Sequence, residues 1–387
     1  MNICMFSPFS FSMASSTHRL VSFAEELVKS GNEVCIVLPS FDRHSNFKMQ
    51  KLDSFHGVRL IQPYQPRIHA VELSTMPYIV TSFLKEFPIN YDVMHVLKPL
   101  PITCAPYLLK QLKRTPIVQD MDDLDHNVMI AEKQSRSRVQ LVEYCERILP
   151  RLSDHITTCS SSLKQIYVNI GFKNEKITWI PNGVKTSDFD INPQISLKKE
   201  FALRDKVVVY LGSLNNQVQV YPLIKAMELV VKERNDVSCM IIGDGTARSF
   251  FEQLTENLRL SDYVKFTGHI PYDDVARYLS VSDVGFACFP PPLASTGGAL
   301  KVFMYMASGL PVIVNPVGDL PYYIDFGKAG IVSQLNPQSL SVALLELLGD
   351  DTMRRKKGQY ARAYVRENFD WSVLTTRLLK IYRDLSG

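Results

Sequence analysis

The chain has 387 residues, 46% of them hydrophobic and 21% charged, with a formal net charge of +4. That length exceeds one ordinary core and predicts two domains, while the composition excludes a disordered or collagen-like class. The small positive charge suits an anionic ligand, and no basic cluster interleaved with aromatics points to nucleic acid. In chain order, short apolar runs predict strands at Asn2–Phe6, Val34–Leu38, Val58–Gln62, Asp92–Leu97, Pro116–Asp120, His155–Cys159 and Ile177–Ile180. A second series is predicted at Val207–Gly212, Val237–Ile242, Val264–Gly268, Asp283–Ala287, Pro311–Val314 and Gly330–Val332. Helical spacing fills the intervals at Ser16–Ser30, Val139–Leu149, Leu223–Arg234, Arg248–Leu258, Pro337–Leu348 and Asp370–Leu385.

Continuously apolar strands alternating with helices signal parallel sheets covered on both faces. The expectation is an α/β chain of two doubly wound, Rossmann-like domains facing across a cleft. The first would span 1–185 together with a carboxy-terminal helix, 370–387, that crosses back to it, and the second 195–368. Pro181-Asn182-Gly183 marks a turn near their junction. The opening Met-Asn-Ile-Cys-Met-Phe lacks a basic leader and reads as a first strand rather than a signal peptide. No apolar run reaches the roughly 18 residues that a spanning helix needs. Seven cysteines without a Cys-x-x-Cys spacing predict a reducing, cytoplasmic setting and no zinc site.

The strongest chemical signal is Thr296–Gly309, a glycine-rich turn that opens a helix ending at Gly309. The first N–H groups of a helix have no internal partner and can hold an anion. Gly297, Gly298 and Ala299 admit a ligand close to the backbone, and Lys301 adds a cation one turn in. Ile241-Ile242-Gly243-Asp244-Gly245 is a tight strand-to-helix turn, either a plain turn or a phosphate or ribose contact. Asp120, Asp122, Asp123 and Asp125 place four carboxylates in six residues, which reads as a site or as an acidic first turn of the next helix; the spacing does not fit an EF-hand loop. His95 is a core histidine or an acceptor-side group, and Lys98 closes the same strand. Arg19 is a site cation or a solvated helix charge. Met76–Phe87 is core or lipid-facing. Arg136 and Arg138 offer a peripheral contact with an anionic membrane surface or a solvated basic face.

These motifs, with Leu27–Val34, Asp154–Ser162, Ile180-Pro181-Asn182-Gly183-Val184, Val209–Leu214, Val264–Ile270 and Tyr305–Ile313, resemble the retaining glycosyltransferases of family 4, of the two-Rossmann-domain (GT-B) type. The resemblance covers nearly the whole chain. It implies a donor site at Gly212, Ser213, Gly243, Asp244, Gly245, His269, Ile270, Thr296, Gly297, Gly298, Ala299 and Met304, with Ser15 and Arg19 contributing from the first domain. It implies catalytic roles for Asp122, Asp123 and Lys301, and acceptor contacts from His95 and Lys98. The co-substrates would be a nucleotide sugar and a hydroxyl acceptor, with no metal and no other cofactor. The sequence departs from the family at four places. Ser213 and Gln217 stand where a phosphate-binding Arg and Lys are usual, and Thr296 and Met304 replace two glutamates, the second a ribose acceptor. A thioether accepts no strong hydrogen bond. These departures also admit a catalytically inactive relative acting as a glycan-binding or partner-enzyme scaffold. A sugar-nucleotide epimerase or a phosphorylase of similar fold is a third reading.

Overall fold

The computed structural model describes residues 1–9, 15–38, 54–61, 90–131, 133–215, 219–290 and 299–387. The chain separates into two compact units, one holding Met1–Asn182 and Trp371–Gly387, the other Gly183–Ser295 and Ala299–Asp370. The carboxy-terminal helix thus belongs to the unit in which the chain begins.

The first unit is built on an eight-stranded sheet: β1 (Asn2–Phe6), β2 (Glu33–Val37), β3 (Ser54–Phe55), β4 (Val58–Ile61), β5 (Val93–Leu97), β6 (Ile117–Met121), β7 (His155–Thr158) and β8 (Ile177–Trp179). Its order is β3-β4-β2-β1-β5-β6-β7-β8, and only the β3–β4 pair is antiparallel. The direction of winding reverses between β1 and β5. In such sheets ligands gather outside the carboxyl ends of the strands at the reversal. One face buries Leu20, Phe23 and Leu27 of the first helix, Ser15–Lys29, with Trp371, Leu374 and Leu378 of the last, Trp371–Ser386.

Between these two helices and the sheet lies a buried ionic cluster. Arg19 is 1% exposed and grips the fully buried Asp120 on β6 with two bonds, Nε to Oδ2 at 2.8 Å and Nη2 to Oδ1 at 3.1 Å. Its remaining donors reach the carbonyls of Ile180 (2.9 Å) and Pro181 (3.0 Å) and Asn182 Oδ1 (3.1 Å). Thr157 donates to Asp120 Oδ1, and His95 Nε2 stands 3.5 Å from Oδ2. The opposite ring nitrogen of His95 is hydrogen-bonded to the Tyr382 hydroxyl at 2.7 Å. Burial would lower the Arg19 pKa and raise that of Asp120, but each charge more than offsets the other's desolvation, so Arg19 is raised and Asp120 is held well below the usual carboxylate range.

The second unit has six parallel strands, β9 (Lys206–Leu211), β10 (Val237–Ile242), β11 (Val264–Gly268), β12 (Val284–Phe286), β13 (Val312–Val314) and β14 (Gly330–Val332), in the order β11-β10-β9-β12-β13-β14. The reversal falls between β9 and β12. At the ends of β9 and β10 two glycines cross: a side chain at Gly243 (φ +138°) would begin 2.0 Å from the Gly212 carbonyl oxygen, so only glycine fits. Each strand and helix expected from the sequence is present to within a few residues, and the structure adds the two-residue β3 and further helices, among them Ala105–Lys113, Ser161–Asn169 and Asp351–Asn368. The helix expected at Val139–Leu149 begins earlier, at Arg136.

Removing one partner of a buried ion pair leaves the other charge uncompensated, at a cost of about 3–5 kcal/mol. Arg19→Ala should therefore lower the stability of the first unit by that amount in urea unfolding. An effect below about 1 kcal/mol would show that the pair does not hold the unit together.

Candidate functional site

In the second unit the sequence-predicted cation stands at the sheet reversal. Lys301 lies in the first turn of the helix Leu300–Ala307. Its ammonium sits 4.3 Å from the ring centre of Tyr210 on β9 and 5.1 Å from that of Phe289, just past β12. One ring lies on β9 and the other just beyond β12, the two strands between which the winding reverses. Gly212 makes room for the side chain, since a Cβ there would meet Nζ at 2.6 Å. The cradle is braced from behind. Tyr210 donates to Gln219 Oε1 at 2.9 Å, and Asn315 clasps Phe289 by accepting from its N–H (2.8 Å) and donating to its carbonyl (2.7 Å). Among the described residues no carboxylate forms an ion pair with Lys301. Lys301 is half-buried, and the desolvation of its ammonium, opposed by Cys288, pulls its pKa down to about 7. Aromatic faces attract a cation but do not neutralise it.

The neighbouring strand ends form a knitted rim. Leu214 N–H donates to the Asp244 carbonyl at 3.0 Å, Thr246 N–H to Asn215 Oδ1 at 3.1 Å, and Gly243 N–H to the Gly268 carbonyl at 2.9 Å. Asp244 is ionised more readily than usual, chiefly because its carboxylate accepts from Gly245 N–H and then because it meets Arg248. Ser213 and His269 are exposed on this rim, Ile270 is half-buried, and Ala299 and Met304 are buried. Thr296, Gly297 and Gly298, where the anion-holding turn was expected, lie outside the described residues, as do Gln217 and Met76–Phe87; of Ser15 only the backbone is described.

The first unit brings a second cluster to the ends of β5 and β6. The Lys98 ammonium is 2.9 Å from Asp125 Oδ1 and 3.5 Å from Asp123 Oδ2. Burial would lower the Lys98 pKa, but Asp125, Asp123 and Asp122 raise it on balance. Asp122 is buried and Asp123 half-buried. Burial first, then the charges of Asp122 and Asp125, push the Asp123 carboxyl up to about 7 against the pull of Lys98. His126 pairs with the buried Glu146, and that bond raises the His126 pKa. Among the described residues no three His, Cys, Asp or Glu side chains are grouped to hold a metal ion.

Four expectations change. Arg19 is neither a donor-site cation nor a solvated charge, because its guanidinium is spent on Asp120 and the chain at Ile180–Asn182. His95 is not an acceptor contact; it is buried behind Asp120 and Tyr382. Lys98 does not face an acceptor as an open cation, since Asp123 and Asp125 already engage it. Arg136 and Arg138 lie inside a helix rather than ahead of it. Sequence reasoning missed Tyr210, Phe289 and Asn315, whose types carry no motif, and the His126–Glu146 pair, whose members lie 20 residues apart.

Residues 17–188 match the family described as Glycosyltransferase Family 4, and residues 192–364 match the one described as Glycosyl transferases group 1. N-acetyl-alpha-D-glucosaminyl L-malate synthase of Bacillus anthracis is 25% identical, over 76% of this chain and 75% of its own. Phosphatidyl-myo-inositol mannosyltransferase of Mycolicibacterium smegmatis is 23% identical, over 100% of this chain and 95% of its own. Among solved structures, Anabaena HepE in complex with UDP superposes with a TM-score of 0.74 at 16% identity, covering 99% of this chain and 100% of that one. No helix of the described residues is long and apolar enough to cross a membrane.

Asp123 supplies a pH test. Its folded pKa of about 7 lies above the unfolded value of about 3.9, so the folded state keeps a proton that the unfolded chain releases. That contribution is complete below pH 4 and is lost as pH rises through 7. Asp123→Asn removes the repulsion at high pH and leaves Lys98 its bond to Asp125. The melting temperature of the variant should therefore exceed the parent's by a few degrees at pH 8 and by little at pH 5. A difference independent of pH would refute the assignment.

Proposed function

Because the chain belongs to the glycosyltransferases, matching Glycosyltransferase Family 4 in its first half and glycosyl transferases group 1 in its second, we propose that it moves a sugar with retention from a nucleoside diphosphate sugar to a hydroxyl acceptor, and that Lys301 receives the diphosphate. The observation that carries this reading is the half-buried ammonium, with no ion-paired carboxylate among the described residues, held between Tyr210 and Phe289 where the winding of the sheet reverses. A cation withdrawn from water with no protein anion beside it costs stability. An anionic ligand offsets that cost and gains a charge-assisted bond in a medium of low dielectric. The usual Arg, Lys and ribose-binding Glu are replaced by Ser213, Gln217 and Met304, so Lys301 is left with most of the electrostatic work.

In the reaction the bond from the anomeric carbon to the diphosphate oxygen breaks as the acceptor oxygen bonds on the same face. The acceptor's proton passes to the departing phosphate. Lys301 stabilises the charge that develops on that leaving group, which is worth more in the transition state than in the bound donor. On the first unit, Asp122 and Asp123 hold sugar or acceptor hydroxyls. Little covalent chemistry falls on the protein, so positioning and charge set the rate. The UDP complex of the Anabaena neighbour supports uridine diphosphate as the first ligand to try.

The test is calorimetry with a panel of nucleoside diphosphates on the parent and on Lys301→Met. The parent should bind one member, with affinity falling about tenfold per pH unit above pH 7 as the ammonium deprotonates. The variant should lose about 10- to 100-fold in affinity, the value of a charge-assisted bond. Its ligand-free form should nevertheless melt higher than the parent at pH 6, because a partly desolvated charge is gone. Unchanged affinity in the variant would remove Lys301 from the diphosphate site.

A further inference from the structure

Away from both clusters, β1 and β2 run side by side and parallel, with Cys4 in register with Cys35. Adjacent strands lie about 4.8 Å apart, inside the roughly 4.4–6.8 Å over which a disulfide joins two Cα atoms. Both side chains enter the same apolar cluster, which also contains Tyr91. The two Sγ atoms are 3.3 Å apart. A bonded pair stands at about 2.0 Å, so small rotations of the two side chains bring the sulfurs together.

The surroundings distinguish the two thiols. Cys35 Sγ lies 3.2 Å from the Tyr91 hydroxyl, and Arg59 Nη2 donates to that same hydroxyl at 2.9 Å. Burial, and then the contact with Cys35, raises the Cys4 pKa against the pull of the same Tyr91 and Arg59. The bond with Cys4, then Tyr91 and Arg59, hold Cys35 down to about 7 despite its burial. A thiol near neutrality beside one that stays protonated is the arrangement of an attacking and a resolving cysteine. Arg59 is half-buried, whereas Cys35 is 3% exposed and Cys4 is fully buried, so a small reagent reaches the pair only as the strands open locally.

We propose that Cys4 and Cys35 form a thiol–disulfide exchange site that takes a low-molecular-weight disulfide and becomes an intramolecular Cys4–Cys35 bridge. The Cys35 thiolate, its proton released to water, attacks one sulfur of the small disulfide. The small S–S bond breaks, a mixed disulfide forms on Cys35, and the first small thiolate leaves and takes a proton from water. Cys4 then attacks the Cys35 sulfur while its proton passes to the second departing thiolate. Two protein thiols are oxidised and one small disulfide is reduced to two thiols.

The experiment incubates the full chain, natively folded, with oxidised glutathione at pH 7.5. Alkylation and peptide mass mapping without reductant follow. The expected product is a Cys4–Cys35 linked peptide pair, lighter by two hydrogens than the separate peptides and restored by dithiothreitol. Cys4→Ser should accumulate glutathione on Cys35, and Cys35→Ser should show neither product at this pair. The proposal is overturned if Cys4 and Cys35 of the parent remain individually alkylated. Linkage that appears only after unfolding in urea would overturn it too, as would glutathione in Cys4→Ser landing on other cysteines and sparing Cys35.

Discussion

A half-buried ammonium group with no ion-paired carboxylate among the described residues is the constraint around which the strand ends of the second unit are arranged. Lys301 is held by two aromatic faces, and the supports of those faces extend the cost of keeping it there. Gln219 fixes Tyr210, Asn315 fixes the backbone at Phe289, and the missing side chain at Gly212 leaves the space that the lysine fills. A hydrophobic residue would pack more stably in such a place. Local conflicts of this kind mark the parts of a fold shaped by something other than stability.

The first unit gives the contrast that makes this interpretable. Arg19 is more deeply buried than Lys301, yet its guanidinium hydrogen-bonds a carboxylate, two carbonyls and an amide oxygen, besides lying 4.9 Å from the ring centre of Phe23. A charge so completely satisfied organises structure; it ties the first helix to β6 and to the chain at Ile180–Asn182. Lys98 is intermediate, engaged by Asp125 and Asp123, and leaves an excess of negative charge that raises the Asp123 carboxyl. Three buried or half-buried cations in one protein thus differ in role because they differ in partners.

Much of the fold was legible because β-branched runs such as Val207–Val209 are buried on both faces, which is the pattern a parallel sheet between helices requires. The chemistry was legible only in part. Lys301 stood out because it follows a glycine turn into a helix, whereas Tyr210 read as an ordinary strand residue and Phe289 as an apolar residue past the next strand of the series. Only the sheet order, which puts β12 beside β9, brings them to one ammonium. Arg19 was misread for the same reason: its partner lies 101 positions away. Local sequence cannot reveal whether a charge will meet its counterion across a sheet. The acidic cluster was visible as four carboxylates, but their division was not. Asp120 points to Arg19 inside the core, whereas Asp123 and Asp125 meet Lys98.

The state of the Lys301 side chain is the most direct test of the whole reading. Nuclear magnetic resonance of the labelled Lys301 side chain, titrated from pH 5 to 11 alone and with saturating nucleoside diphosphate, reports it without reference to turnover. A midpoint near 7 in the free protein, rising by at least two units with the diphosphate bound, is the predicted result. A midpoint near the ordinary 10.4, unmoved by the ligand that the protein binds, would contradict it.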